Sequence, residues 1–153
     1  MKSTPDEYDP DWPLYPETVL KFRTTPPVEI DLRATLSNEM LLGLKSIGLG
    51  QPFAIMTAYD PDGRNLPREE NERRRRALDQ RLTKDGYRFL EVDCCSPDGA
   101  HCEASVAVTM QRDDAIRIAR ELRQVAIFWF DGQRFWILGA VVDTDPLMLP
   151  RSS

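Results

Sequence analysis

Residues 125–140 read VAIFWFDGQRFWILGA. Two apolar runs, 125–130 and 134–140, flank the pair Asp131-Gly132 in this stretch. An Asp-Gly pair between two strand-like runs is typical of a tight β-hairpin, because both residues tolerate the positive φ angles that such turns require. The stretch therefore predicts two neighbouring antiparallel strands, to which the rest of a sheet is added.

Upstream of this hairpin, segments with helical periodicity alternate with segments typical of strands. Helices are predicted at residues 37–47, 67–84 and 113–123, where apolar side chains recur at helical spacing. Further strands are predicted at residues 18–23, at an edge of the sheet, and at 53–59, 87–92 and 104–110. This order predicts an α+β fold with a mixed, mostly antiparallel sheet, helices on one face, a ferredoxin-like βαββαβ arrangement and an extended N-terminal arm.

The chain has 153 residues, a length that suits one domain. Residues 1–27 are rich in proline and acidic side chains, so we expect an extended, non-helical arm packed on the surface. Residues 28–142 are predicted to form a single α/β domain. Residues 143–153 are predicted to be a loose C-terminal tail.

Composition limits the classes of function. Apolar residues make up 41% of the chain, and the longest apolar run, residues 125–130, is far too short to cross a membrane. The first ten residues are acidic and lack an apolar targeting segment, which predicts a cytoplasmic location. The net charge of −5 makes nucleic acid an unfavoured partner. The sequence does not predict the oligomeric state.

Three cysteines, Cys94, Cys95 and Cys102, lie in one short stretch beside His101. They are too few and too local for the disulfide framework of a small secreted domain, so we expect free thiols. Their spacing matches no common zinc site, and no glycine-rich phosphate loop is present. We therefore predict neither a metal nor another cofactor.

Four consecutive arginines, residues 73–76, leave two interpretations open. Clustered positive charge can bind the phosphates of a nucleic acid. However, four consecutive residues of a helix point in almost every direction, and acidic residues lie at pairing distance along the same helix. The pattern favours a solvated face with salt bridges.

The helix predicted at residues 67–84 turns polar groups inward. Leu78 and Leu82 mark its buried stripe, and stepping back along that stripe reaches Arg74 and Asn71. Polar groups beside the first turn of a helix suit the binding of an anion. In the alternative interpretation, Asn71 bonds the type I turn predicted at residues 60–63, and Arg74 pairs with an acidic residue such as Glu103.

Four short motifs together resemble a bacterial domain-of-unknown-function family, number three-two-nine-three, over roughly residues 51–132. The motifs are Thr57-Ala58-Tyr59-Asp60-Pro61, Asn71-x-x-Arg74-x-x-x-Leu78, Glu103-x-Ser105 and Gln124-x-Ala126-Ile127. The family pattern favours asparagine where this chain has Asp60, so the resemblance implies no role for an amide donor at that position. It implies a bacterial source, and it brings no activity that could be transferred.

The resemblance and the inward polar residues together predict one ligand site. The predicted ligand-binding residues are Thr57, Tyr59, Asp60, Asn71, Arg74, Glu103, Ser105 and Gln124. The leading hypothesis is a small binding or regulatory module that holds a small anionic ligand, such as a nucleotide, around Asn71 and Arg74. Two alternatives are an enzyme with Glu103 as general base, Asp60 being second, and a protein-interaction adaptor that uses the N-terminal arm.

Overall fold

The structure is a computed structural model, which describes residues 5–151. It has four α-helices: α1 (Pro5–Tyr8), α2 (Asn38–Ser46), α3 (Arg68–Lys84) and α4 (Arg112–Glu121). Its strands are β1 (Val19–Phe22), β2 (Val28–Asp31), β3 (Phe53–Met56), β4 (Phe89–Cys95), β5 (Cys102–Val108), β6 (Ala126–Phe130), β7 (Phe135–Gly139) and β8 (Leu147–Met148). Two short 3-10 helices, Trp12–Glu17 and Pro61–Gly63, complete the elements. The fold is α+β, as predicted.

The strands form one sheet of eight in the order β2-β1-β4-β5-β3-β6-β7-β8. Every pairing between these strands is antiparallel, so the prediction of a mixed sheet is wrong in that respect. Strand β1 lies between β2 and β4, and the prediction that this segment is an edge strand is also wrong. The edge strand is β2. It was not predicted, because it has only four residues, too few to show a strand period, and it is flanked by prolines and a turn.

Alternate side chains of each strand divide the core into two buried clusters, as the two-residue period of a strand requires. Phe53 and Ile55 of β3 belong to one cluster, and Ala54 and Met56 belong to the other. The first cluster also contains side chains from both ends of the sheet, Ile30 of β2 and Leu149 just after β8. The sheet therefore curls around the first cluster, and we call this side the inner face and the other side the outer face.

Helices cover both faces. Leu78 and Leu82 of α3 and Ile118 of α4 are buried in the cluster of the outer face, as their helical spacing predicts. Leu44 of α2 is buried in the cluster of the inner face, where the curled sheet leaves room for one more element. The prediction that the helices lie on one face is thus wrong for α2, because its amphipathic pattern specifies a buried stripe and not the surface that receives it.

The N-terminal segment differs from the extended, non-helical arm predicted for residues 1–27. It contains α1, which starts at Pro5, where a missing N–H costs nothing, and the 3-10 helix Trp12–Glu17. Residues 1–4 of the predicted arm lie outside the described residues. Further along the segment, Leu20 and Phe22 of β1 are buried in the inner cluster, so this part is core and not a surface arm.

The C-terminal segment, predicted as a loose tail from residue 143, also contributes to the sheet. Strand β8 pairs with β7, and the backbone N–H of Leu149 donates to the carbonyl oxygen of Phe135 at 2.9 Å. The side chain of Leu149 is buried, which explains why this short segment is held in place. Residues 152 and 153 of the predicted tail lie outside the described residues.

Two local predictions are corrected, and one is confirmed. The turn at residues 60–63 is not type I, because Asp62 has a φ of 58°, and type I requires a negative φ there. Cys95 and Cys102 are not free thiols: they face each other across β4 and β5 and form a disulfide. The hairpin at Asp131-Gly132 is confirmed, with Gly132 at a φ of 106°. Among residues 5–151, no helix has the length and apolar character needed to cross a membrane.

Candidate functional site

The loop after β3 is held by Asn71, at the start of α3. The backbone N–H of Asp60 donates to Oδ1 of Asn71 at 3.0 Å, and Nδ2 of Asn71 donates to Oδ1 of Asp60 at 2.9 Å. The same carboxylate oxygen accepts the N–H of Leu66 at 2.9 Å. These bonds stabilise Asp60 in a left-handed conformation, with a φ of 49°, which aspartate tolerates better than most residues.

The same loop is tied to the end of α4. Nε2 of Gln124 donates to the carbonyl oxygen of Tyr59 at 2.9 Å, and the N–H of Asp62 donates to the carbonyl oxygen of Arg123 at 2.6 Å. The side chains of Arg123 and Asp62 form an ion pair at 2.7 Å. We call Tyr59, Asp60, Asn71 and Gln124 the loop network, because their bonds join β3, α3 and α4.

The loop network explains two buried polar side chains without a ligand. Asn71 and Gln124 are each only 6% exposed, and both donate to groups of the loop after β3. Buried amides need partners, and these have found them within the chain. For Asn71, the alternative interpretation, in which it bonds the turn at residues 60–63, is confirmed.

Arg74 does not take part in this network. Its side chain is 40% exposed, and its Nε lies 3.4 Å from Oε1 of Glu70 on the preceding helical turn. No ion pair joins it to Glu103 among residues 5–151; Arg74 does pair with an acidic residue, as that interpretation expects, but the partner is Glu70. The buried Nε atom of Arg74 has no hydrogen-bond partner within the described residues.

The arginine run forms the predicted salt-bridged face. Arg73 pairs with Glu70, and Arg75 pairs with Glu91 on β4 and lies 4.0 Å from Asp79. Arg73 and Arg74 share Glu70, whereas Arg75 points to β4, so the run does not produce a single basic stripe.

Three predicted site residues lie on the other side of the sheet. Side chains alternate between the two faces along β5. Val106 belongs to the outer cluster with residues of α3 and α4, and Ala107 belongs to the inner cluster. Glu103 and Ser105 are an even number of residues from Ala107, so they also face inward. Thr57, just beyond β3, continues the inward positions of Phe53 and Ile55, and its hydroxyl donates to the carbonyl oxygen of Ala104 at 2.9 Å. The sheet thus separates Thr57, Glu103 and Ser105 from Arg74 on the helix of the outer face.

Glu103 is the strongly perturbed carboxyl group of this inner face. Burial raises the pKa of Glu103 to about 7, and the negative charge of Asp60 acts in the same direction. Asp9 and Asp11 raise this pKa further, whereas the hydroxyl group of Thr57 beside the carboxyl lowers it. We call Asp9, Asp11, Asp60 and Glu103 the acidic cluster.

Two members of the acidic cluster come from the N-terminal segment, and sequence reasoning missed them. The ring of Tyr15 packs 6.4 Å from that of Phe128 on the inner face, and its hydroxyl donates to Oδ2 of Asp9 at 2.5 Å. Burial and this bond to Asp9 raise the pKa of Tyr15. The acidic and aromatic pattern of residues 8–15 predicts contact with the domain, but nothing in it identifies Glu103 as the group contacted.

Two sulfur positions bracket Glu103. Cys94 lies directly opposite Glu103 across β4 and β5, and burial raises the pKa of its thiol to about 12. The Cys95–Cys102 disulfide occupies the next register position and closes the end of the hairpin. Glu103 is therefore held on a covalently closed pair of strands. No group of three or more His, Cys, Asp or Glu side chains among residues 5–151 is arranged to hold a metal ion.

The comparisons with known proteins bear on these same elements. Residues 56–127 match a family described as "Protein of unknown function (DUF3293)". The predicted resemblance is confirmed. No curated protein and no solved structure matches the chain.

The DUF3293 segment runs from the end of β3 to the beginning of β6. It includes both the loop network and Glu103, together with all eight predicted ligand-binding residues. Asp9, Asp11 and Tyr15 lie outside it. The family match therefore covers the half of the site built by the sheet and not the half supplied by the N-terminal segment.

Proposed function

We propose that the chain is an enzyme in which Glu103 transfers a proton as a general acid–base group. The observation that carries this proposal is the acidic cluster, in which two other segments, the N-terminal segment and the loop after β3, place carboxyl groups close enough to raise the pKa of Glu103. Gathering like charges in a partly buried place opposes folding, and such arrangements are concentrated at functional sites.

The protonation of Glu103 suits both directions of proton transfer. Its pKa of about 7 leaves the carboxyl group divided between its acid and base forms at neutral pH. A general acid or base is most effective when its pKa lies near the working pH. Thr57 on one side and the β4–β5 hairpin on the other limit the positions that the carboxyl group can adopt.

The charge of the acidic cluster selects the substrate class. An anion would be repelled by Asp9, Asp11 and Asp60, whose charges already raise the pKa of Glu103. We therefore infer a substrate that is neutral or positively charged and that carries a proton within reach of a carboxylate. This replaces the anionic ligand of the leading sequence hypothesis at this end of the sheet.

The test uses 5-nitrobenzisoxazole, a small neutral compound that reports a partly desolvated carboxylate base. Removal of its C3 proton breaks its N–O bond and gives a nitrile and a coloured phenolate. We expect turnover by the full chain to rise with pH through about 7 and to be lost in Glu103→Gln, since the ionised carboxylate is the base.

The matched control is Glu29→Gln, which removes an exposed carboxylate of the edge strand β2. This variant should keep the rate and the pH profile of the wild-type chain. Equal rates for the wild-type chain and Glu103→Gln between about pH 5 and about pH 9 would refute the proposal.

Binding of a small anion at Arg74 is a second candidate, favoured by one observation. The buried Nε of Arg74 lies 3.4 Å from Glu70 but makes no hydrogen bond within residues 5–151, and an anion could supply a well-aligned acceptor. Asn71 does not contribute to this candidate, because its amide is engaged with Asp60. Trp12 and Tyr15 pack against the inner cluster, which makes the N-terminal segment a weaker candidate for an adaptor surface.

The second candidate is tested by titrating the chain with inorganic phosphate and with adenosine monophosphate while the melting temperature is followed. Binding at Arg74 predicts a rise that Arg74→Gln abolishes and that Arg73→Gln, a change at a more exposed neighbour, retains. An equal rise in all three proteins would place the anion elsewhere. The absence of any rise would remove this candidate.

We also infer that residues 53–130 form a ferredoxin-like βαββαβ unit. Supporting this, the elements run β3, α3, β4, β5, α4, β6 along the chain, and their strands lie in the order β4-β5-β3-β6 with β3 inside. Strands β1 and β2 would then extend one edge of the unit, and β7 and β8 the other. NMR contacts between β3 and both β5 and β6 are expected, and pairing of β3 with β4 would contradict the assignment.

A further inference from the structure

A cavity of about 460 Å³ lies between α2 and the hairpin of β6 and β7, away from Glu103. The cavity adjoins the start of β3. Thr57 and Glu103 lie near the other end of this strand, and the four-residue step from Phe53 to Thr57 spans roughly 13 Å at the rise of a strand. We propose that this cavity binds a small molecule with an apolar body and one carboxylate group. The proposal concerns a second site and does not depend on the function of Glu103.

One face of α2 forms a wall of the cavity. Asn38, Leu41, Leu42 and Lys45 line it, and their spacing of three and four residues places them on the same side of the helix. The wall is therefore apolar in its middle and polar at both ends. Such walls, with few polar groups at defined places, are characteristic of small-molecule sites.

Leu42 presents a largely exposed apolar side chain at the cavity. Its side chain is 64% exposed, more than those of Leu14 and Met148, the other exposed large apolar residues in the described part of the chain. Leu42 follows Leu41 in the sequence, and the apolar lining also includes Phe130 and Leu49. Together with Leu41, Leu49 and Phe130, Leu42 gives the cavity an apolar lining that the apolar body of a ligand would cover.

Lys45 supplies the charge that selects a carboxylate. It forms no ion pair within residues 5–151, although the acidic residues of this chain outnumber the basic ones by 25 to 20. Its stem packs over Gly50, where an added Cβ would lie 3.3 Å from Cγ of Lys45. The glycine thus leaves room for the lysine stem at the edge of the cavity, with an ammonium group available for a carboxylate.

The experiment titrates the full chain with octanoate, an eight-carbon carboxylate, and with 1-octanol, which has the same apolar chain and no charge. NMR spectra of the leucine methyl groups report the site. We expect octanoate to shift the methyl signals of Leu41 and Leu42 and to bind at least about fivefold more tightly than 1-octanol, as a partly exposed charge pair allows.

Four variants define the result. Lys45→Gln should make octanoate and 1-octanol bind equally, Leu42→Gln should weaken both, and Glu103→Gln should change neither. Gly50→Ala should weaken octanoate selectively, because the new Cβ displaces the stem of Lys45.

Two outcomes would overturn the proposal. One is octanoate binding that is absent or insensitive to Lys45→Gln. The other is a dimer of the chain that Leu42→Gln dissociates, measured by sedimentation equilibrium, which would identify this face as a contact between two copies. The series includes Glu103→Gln, so the two proposals are tested separately. A failure of octanoate binding does not contradict proton transfer by Glu103, and unchanged turnover in Glu103→Gln does not contradict octanoate binding.

Discussion

Asn71 and Asp60 are joined by two hydrogen bonds, one through the backbone N–H of Asp60 and one through its carboxylate. The pair connects the first turns of α3 to the loop after β3, and the same Asp60 carboxylate also raises the pKa of Glu103. A residue that stabilises a loop on one side of the sheet thereby influences a titratable group on the other.

The first prediction concerns the stability that Asn71 contributes. Asn71→Ala removes both bonds and leaves the N–H of Asp60 without its partner, so we expect a loss of about 1–3 kcal/mol in the free energy of unfolding. Urea unfolding measures the change. Gln80→Ala, at an exposed position of the same helix, is the control and should cost little. A loss no greater than that of the control would contradict the role given to the loop network.

The second prediction concerns the charge of Asp60. Asp60→Asn keeps an Oδ1 acceptor for Asn71 and Leu66, and asparagine tolerates the left-handed backbone. The fold should persist, while the pKa of Glu103 falls because a nearby negative charge is lost. Carbon NMR of the labelled Glu103 carboxyl measures this pKa. Asp145→Asn, which removes an exposed charge elsewhere, should leave it unchanged.

The third prediction concerns stability and pH. The pKa of Glu103 is raised to about 7 in the folded chain, from an ordinary value of 4.5, so the folded state holds an extra proton between these values. The stability that the protonated Glu103 carboxyl group contributes is therefore fully present below about pH 4.5 and is lost as pH rises through 7. Glu103→Gln should remove this loss and stabilise the chain above pH 7, by on the order of 3 kcal/mol at most, since one pKa unit corresponds to about 1.4 kcal/mol.

The measurement is urea unfolding of the wild-type chain and of Glu103→Gln across this pH range. The two stability curves should meet at low pH and separate toward neutral pH. Parallel curves would mean that Glu103 titrates normally. The variant Glu29→Gln should follow the wild-type curve, because its carboxylate is exposed.

The fourth prediction concerns the Cys95–Cys102 disulfide. It closes a hairpin whose ends are separated by seven positions, so its removal should cost roughly 2–3 kcal/mol through the greater freedom of the unfolded chain. Dithiothreitol should lower the melting temperature of the wild-type chain. The double variant Cys95→Ala, Cys102→Ala should have a lower melting temperature than the wild-type chain, and dithiothreitol should not change it. A wild-type melting temperature that ignores dithiothreitol would show that the bond contributes nothing.

Local patterns in the sequence predicted much of the secondary structure. Helices α2, α3 and α4 were predicted from their periodicity and end signals, and they begin and end within two residues of the predicted positions. The Asp131-Gly132 hairpin followed from two residues. Among the elements that were missed, α1, β2 and β8 are four residues long or shorter and have too few positions to show a period, and the 3-10 helix Trp12–Glu17 lies in a proline-rich segment that was predicted to be extended.

The candidate site was predicted only in part, because its two halves have different origins. The eight predicted residues include Asn71 and Gln124, whose burial is explained by the loop network. Glu103 was among the candidates, but its neighbours Asp9, Asp11 and Tyr15 were not. Their proximity depends on the position of the N-terminal segment on the inner face, which no spacing in the sequence encodes.

By itself, the sequence determined the α+β class, the main helices, the hairpin and the inward direction of Asn71, because each follows from local periodicity and turn chemistry. Only the tertiary structure decided which residues meet. Its sheet order separates Arg74 from Glu103, places Cys95 opposite Cys102, and brings the N-terminal carboxylates to Glu103. The reason is physical: strand pairing and burial join residues that are far apart along the chain, and the interaction that perturbs Glu103 exists only after that pairing.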